Sequence, residues 1–269
     1  MKIIQVTDVH LGRQGERRYG VDLHQRLASC IAHINAHHAD AALCVFTGDL
    51  TETGAPESYV DLGAALSALS VPWRLLPGNH DRRANLVAAF PEIPVDDHGF
   101  VQSVRDTGDE VLVFLDILAE GRIEGELCEK RLAWLDARLE ESAGRPAYVF
   151  MHHPPVALGL PQLDPLGLEN PGPFLDLLRR HGNVRHIFFG HVHRDVVGTV
   201  AGIPFSAQRG LHARFELALD WASEIVEQAP PSYAVILVDS ANGRLVVHGC
   251  DFLEQWPIYS GETGERITA

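Results

Sequence analysis

Apolar positions recur along this chain in two rhythms. Lys2-Ile3-Ile4-Gln5-Val6, Ala42-Leu43-Cys44-Val45-Phe46, Trp73-Arg74-Leu75-Leu76, Ala147-Tyr148-Val149-Phe150-Met151 and Val184-Arg185-His186-Ile187-Phe188-Phe189 are short apolar runs that read as buried strands. Between them apolar residues fall at helical spacing. Leu23, Leu27, Ile31 and Ile34 predict a helix over residues 21–38, and Leu132, Leu135 and Leu139 one over residues 126–141. Pro56 opens a helix to about residue 69, in a first-turn position where its missing N–H costs nothing. Shorter helices are expected up to Phe90 and over residues 174–180.

The later chain is richer in strands. Residues 100–104 and 111–115 pair around Asp106-Thr107-Gly108-Asp109, and residues 196–200 and 203–206 pair about Ala201-Gly202. Residues 233–238 and 244–249 form a C-terminal β-hairpin about Ser240-Ala241-Asn242-Gly243, a strong turn signal. Strand–helix alternation followed by strands argues for an α/β layered sandwich rather than a purely parallel sheet. Residues 207–231 show no clear rhythm, and residues 215–221 fit either a strand or a helix. Residues 254–269 read as a loosely held tail, which leaves residues 1–253 as one domain.

Composition narrows the function. A chain of 269 residues buries roughly 75% of its unfolded surface and needs no disulfide to build a core. Cys30, Cys44, Cys128 and Cys250 show no CxxC spacing, as expected of reduced thiols in a cytosolic protein. No signal-peptide pattern and no apolar run of about 18 residues is present, so a soluble cytoplasmic protein without a membrane partner is expected. The net charge of −14 disfavours a nucleic-acid polymer as partner, and the one dense basic cluster, residues 13–18, is short. A small phosphate ester remains compatible, because bound cations would invert the local field.

The 15 histidines include a set placed with order. Five strand ends carry Asp8-Val9-His10, Gly48-Asp49, Gly78-Asn79-His80-Asp81, His152-His153 and Gly190-His191-Val192-His193. Ligands gather at the carboxyl ends of strands in open α/β sheets, so these segments can converge although nearly the whole chain separates them. Gly190 would let the backbone turn out of its strand. The mixed imidazole, carboxylate and amide set suits borderline divalent ions such as Mn, Fe, Zn or Co. Taken singly, Asp8 or Asp49 reads as a helix cap and Asn79 as a turn residue. Asp81 reads as the cap of the following helix rather than an orienter of His80. His153 reads as a loop residue beside the site, and His24, His33, His37, His38, His98, His181, His186 and His248 as structural or exposed.

Over roughly residues 1–205 the ordered series of motifs resembles the calcineurin-like binuclear metallophosphoesterases. Arg17-Arg18-Tyr19-Gly20, Met151-His152-His153-Pro154-Pro155 and Leu163-Asp164-Pro165 with Glu169-Asn170 are similar to the bacterial glycerophosphodiesterase branch, grouped with class III cyclic-nucleotide phosphodiesterases. The resemblance implies a four-layer αββα sandwich. It implies that Asp8, His10, Asp49 and His193 hold one ion and that Asn79, His152 and His191 hold a second, with Asp49 bridging. It makes His80 the catalytic imidazole, and His80, Asn79, Tyr19 and His212 substrate-binding residues. A homo-oligomer, dimer or larger, is implied too. Two ions about 3.5–4 Å apart can share a carboxylate and a hydroxide, which attacks the ester while the ions clamp the phosphoryl oxygens. The expected reaction is hydrolysis of small phosphodiesters, either 3′,5′-cyclic nucleotides such as cAMP or glycerophosphodiesters. The scaffold also serves phosphomonoesterases, non-catalytic interaction modules and DNA nucleases. The module reading conflicts with an intact ligand set, and the nuclease reading with the acidic charge. Residues 214–228 match nothing in the resemblance.

Overall fold

The short apolar runs all become strands, and the periodic segments become the helices that cover them. The computed structural model describes residues 1–220, 225–253, 258, 259, 261, 266 and 267. The first half runs β1 (Lys2–Val6), α1 (Leu23–His37), β2 (Leu43–Thr47), α2 (Pro56–Leu66), β3 (Trp73–Leu76) and α3 (Arg83–Ala89). It continues through β4 (Ser103–Asp106), β5 (Val111–Phe114), α4 (Glu129–Glu141), β6 (Ala147–Phe150) and α5 (Gly172–His181) to β7 (Val184–Phe189), β8 (Val196–Val200) and β9 (Ile203–Ala207). A two-residue ribbon, β10 (Arg214–Phe215) with β11 (Val226–Glu227), precedes the long hairpin of β12 (Ser232–Asp239) and β13 (Arg244–Asp251).

Two mixed sheets result, ordered β13-β12-β1-β2-β3 and β4-β5-β6-β7-β9-β8. β1, β2 and β3 run parallel, as do β5, β6, β7 and β9, whereas β12, β4 and β8 pair antiparallel at their flanks. The sheets face each other through Ile3, Val45, Leu76 and Ile236 on one side and Phe114, Phe150 and Phe188 on the other. Phe150 stacks between Phe114 and Phe188 at centroid separations of 5.5 and 4.7 Å. Leu27, Ile31 and Ile34 of α1 and Leu62 of α2 cover the outer face of the first sheet. Leu135 and Leu139 of α4 and Leu178 of α5 cover that of the second. The expected four-layer αββα sandwich is therefore the architecture, with the 232–251 hairpin closing one sheet.

Element ends shift for local reasons. α1 begins at Leu23 because Asp22 caps it, its side chain accepting from the Gln25 amide at 3.0 Å. The expected helix from residue 126 starts only at Glu129, since Glu126 instead pairs with the buried Arg131 guanidinium at 3.0 Å. In the segment open to either reading, Phe215 ends a strand, residues 216–220 are neither helix nor strand, and Trp221 lies outside the described residues. Most of the expected tail, 254–257, 260, 262–265, 268 and 269, also lies outside them; Ile258–Tyr259 pairs antiparallel with Arg266–Ile267.

Phe150 fills the space between the sheets and has no room to relax into. Phe150→Ala should destabilise the fold by about 3–5 kcal/mol, read from the denaturant midpoint at constant m-value. A loss under about 1 kcal/mol would mean that the two sheets close over the gap.

Candidate metal centre

Because β1, β2 and β3 run parallel in one sheet and β6 and β7 in the other, their carboxyl ends deliver Asp8, His10, Asp49, Asn79, His152, His191 and His193 to one end of the sandwich. Backbone bonds lock the deliveries together. The amides of Asp8 and His10 donate to the carbonyls of Gly48 and Asp49, and that of Gly190 to the carbonyl of His152. The His191 amide donates to both Asp8 oxygens at 3.1 and 3.2 Å, and the His80 amide to Asp49 Oδ1 at 2.9 Å.

The loops are wound tightly. Asp8, His10, Asp49, His191 and His193 all have φ between 48° and 68°, a left-handed region that costs a non-glycine residue of order 1–3 kcal/mol and clusters at functional sites. Gly190 is not the flexible turn the sequence suggests, for its φ is not positive. It is required by proximity, since a Cβ there would lie 1.9 Å from Thr7 Oγ1.

Three of the imidazoles are held by their Nδ1 atoms. His193 Nδ1 donates to the Ala213 carbonyl at 2.8 Å, His152 Nδ1 to the Thr47 carbonyl at 2.7 Å and His10 Nδ1 to the Glu52 carboxylate at 3.0 Å. A carbonyl or carboxylate oxygen only accepts, so each bond fixes the proton on Nδ1. The Nε2 atoms then converge. Those of His10 and His193 lie 3.2 Å apart, with Asp49 Oδ2 3.4 Å from the first and Asp8 Oδ1 3.4 Å from the second. Beside them, Asp49 Oδ2 lies 3.3 Å from His152 Nε2, and Asn79 Oδ1 lies 3.2 Å from that atom and 3.0 Å from His191 Nδ1. One ligand atom from each of Asp8, His10, Asp49 and His193 falls within 4.8 Å of every other.

Protonation follows from burial. Burial pushes the His10 imidazolium far down, and burial with His153 and His152 nearby does so for His191, so both rings are neutral ligand forms. Burial opposes charge on Asp49, yet the His152 charge and hydrogen bond hold its carboxyl well below the usual range. Burial likewise opposes charge on His152, but Asp49 raises it to about 9. A cluster of carboxylate oxygens and imidazole nitrogens crowded this closely is what a divalent cation satisfies, taking the place of the proton that Asp49 holds on His152, and the set of imidazoles, carboxylates and an amide oxygen fits a borderline ion.

The remaining sequence candidates divide. His80, Tyr19 and His212 line, with Arg18, Leu163, Leu166, Phe215 and Val226, a cavity of about 240 Å³ over the cluster. His80 Nδ1 donates to the Glu52 carbonyl at 2.8 Å, and its ring meets the edge of His10 at 4.6 Å. His212 packs 4.5 Å from His10, with the exposed Tyr19 5.5 Å beyond. His153 donates Nε2–H to the Ile123 carbonyl at 2.7 Å, and burial beside His152 lowers it to about 3.

Asp81 neither caps α3 nor touches His80. It is fully buried and accepts from the amides of Leu50, Thr51 and Gly78 and from the hydroxyls of Thr51 and Tyr59, joining the Asp49 loop to the Asn79 loop. Glu52 went unread in the sequence, although an acid three residues after Asp49 in the same loop was a usable signal.

Calcineurin-like phosphoesterase is the description of the family model that matches residues 1–195. A protein of Rhodopseudomonas palustris named probable cyclic nucleotide phosphodiesterase is 39% identical over 266 residues, covering 97% of this chain and 96% of its own. The glycerophosphodiester phosphodiesterase GpdQ of Enterobacter lignolyticus is 32% identical over 214 residues, 76% of this chain and 77% of its own. Among solved structures, a dimetal phosphatase of Danio rerio superposes with a TM-score of 0.71 at 18% identity, covering 94% of this chain and 96% of that one, and so shares the fold.

Close approach makes Gly78 a test of the centre. A Cβ there would sit 2.3 Å from Asp49 Oδ1 and 2.7 Å from His152 Nε2. Folded Gly78→Ala should therefore lose bound divalent ion by elemental analysis. Full ion content would show that this loop yields to the methyl group.

Proposed function

The chain belongs to the calcineurin-like phosphoesterase family, and from that premise we propose that it hydrolyses small phosphodiesters, cyclic nucleotides or glycerophosphodiesters, at a centre of two divalent ions such as Mn, Fe, Zn or Co. The observation that carries this reading is the 3.2 Å approach of two Nε2 lone pairs, His10 and His193, between Asp8 and Asp49. Asp8, His10, Asp49 and His193 would hold one ion, and Asp49, Asn79, His152 and His191 the other. When bound, such a pair supplies Lewis acidity and lowers the pKa of a bound water toward about 7.

The chain's own groups do the rest. His80 keeps one proton on Nδ1, committed to the Glu52 carbonyl, so in its imidazolium form a second proton on Nε2 is free to bind a phosphoryl oxygen or to pass to the departing alkoxide. Asn79 supplies a neutral oxygen, so the ligand carboxylates are only Asp8 and Asp49 and the loaded site stays attractive to an anion. Tyr19 and His212 line one wall of the cavity, and Leu163 and Leu166 add apolar surface to it. Such walls suit the organic arms of a diester. The relatives named for diester substrates support the same reading.

We also propose a homo-oligomer, dimer or larger. Leu217, Leu219 and Ile225, exposed around the β10–β11 ribbon, are the apolar surface that supports it, and a monomer in sedimentation velocity would rule it out. A cytoplasmic location agrees with four free cysteines.

Two measurements on the manganese-loaded protein test the reaction. Turnover of bis(p-nitrophenyl) phosphate should exceed that of the monoester, and the reverse order would make the enzyme a monoesterase. His80→Ala should retain its ions and lose roughly 10²–10⁴ in rate; an unchanged rate would remove His80 from the chemistry.

A further inference from the structure

Glu52 stands at the crossing of three contacts, of which the pair with Arg18 has no part in the reaction proposed above. The Glu52 side chain is 11% exposed. Oε2 accepts the His10 Nδ1 proton at 3.0 Å, Oε1 pairs with the Arg18 guanidinium, and the backbone carbonyl accepts the His80 Nδ1 proton at 2.8 Å. No other Lys or Arg among the described residues lines the cavity besides Arg18. Its guanidinium lies 5.5 Å from the Tyr19 ring centroid.

These contacts differ in what they fix. The bond to His10 sets the tautomer and ring orientation that turn Nε2 toward Asp49 and His193. The pair with Arg18 anchors a long, rotamer-rich side chain that is 41% exposed beside the cavity it lines. A guanidinium presents a planar fork of donors that matches phosphate oxygens, and it loses less entropy if already anchored.

We propose that Glu52 is a positioning residue with two arms: through His10 it sets the affinity of the centre for its ions, and through Arg18 it aims a guanidinium at the phosphoryl group. The inference rests on the phosphoesterase reading of the site. Arg18 is then a binding residue for the phosphoryl oxygens, and Glu52 acts only through its neighbours.

The test uses the full chain, with manganese alone and inorganic phosphate as probes, both by titration calorimetry. Glu52→Gln keeps the shape and an acceptor for His10 but removes the charge. It should weaken manganese binding by about 10–100-fold, the usual effect of losing such an orienting partner. It should also weaken phosphate binding to the manganese-saturated protein. Arg18→Met should leave manganese affinity at the wild-type value. It should weaken phosphate binding, and raise KM for the diester, by about tenfold or more, the weight of one charged hydrogen bond. The double variant should match Glu52→Gln in manganese affinity and Arg18→Met in phosphate affinity, because both side chains act on the anion through one guanidinium.

Wild-type manganese affinity in Glu52→Gln overturns the first arm. Wild-type phosphate affinity in Arg18→Met, or fully additive phosphate losses in the double variant, overturns the second. Both titrations proceed without turnover. A wild-type protein that binds manganese and phosphate but cleaves no ester would therefore sink the reading of the reaction and leave the two arms to be judged separately.

Discussion

Two nitrogen lone pairs pointed at each other across 3.2 Å repel, and the site is organised around holding them there. His10 and His193 cannot turn away, because each has its Nδ1 proton engaged by a neighbour, Glu52 in one case and the Ala213 carbonyl in the other. Asp8 and Asp49 add negative charge to the same few ångströms. Such an arrangement lasts only if the surrounding structure over-determines it. The left-handed backbone at Asp8, His10, Asp49, His191 and His193, the glycines admitted for lack of space, and the five donors around Asp81 are the means. Strain is concentrated where cations would repay it.

Much of this was legible in sequence because strands announce their own ends. Runs such as Ala42-Leu43-Cys44-Val45-Phe46 stop where polar residues begin, and in an α/β sheet that stop is also an address. Asp49, Asn79, His152 and His191 could therefore be gathered from the pattern alone, and the layered sandwich followed from the order of strands and helices. What stayed hidden was whatever depends on contacts between loops. Nothing local distinguishes Asp81 capping α3 from Asp81 tying two loops, and only the approach of Tyr59 and the Leu50 amide decides. Gly190 was recognised as necessary for the wrong reason, since a turn and a crowded neighbour demand the same residue type. The segment 215–221 defeated the pattern because the strand entering it is only two residues long and residues 216–220 belong to no helix or strand.

Glu52 and Asp81 keep the site in register in two different ways. Asp81 binds backbone amides and hydroxyls and so fixes where the loops run. Glu52 binds side chains and so fixes how rings and a guanidinium are turned. The first kind of contact is independent of what occupies the cavity, whereas the second touches groups that face it. A family scaffold can keep the former and vary the latter, and this gives the Arg18–Glu52 pair its interest beside the ligands themselves.

The spread of these ligands along the chain carries a consequence for biogenesis. His10 and His193 are 183 residues apart, and the two sheets must dock before their loops share a space. A nascent or partly assembled polypeptide can offer passing ions only the part of the set that one sheet carries. The complete ligand set exists only in chains that have finished folding, so a fully occupied centre would seal correct assembly rather than seed it.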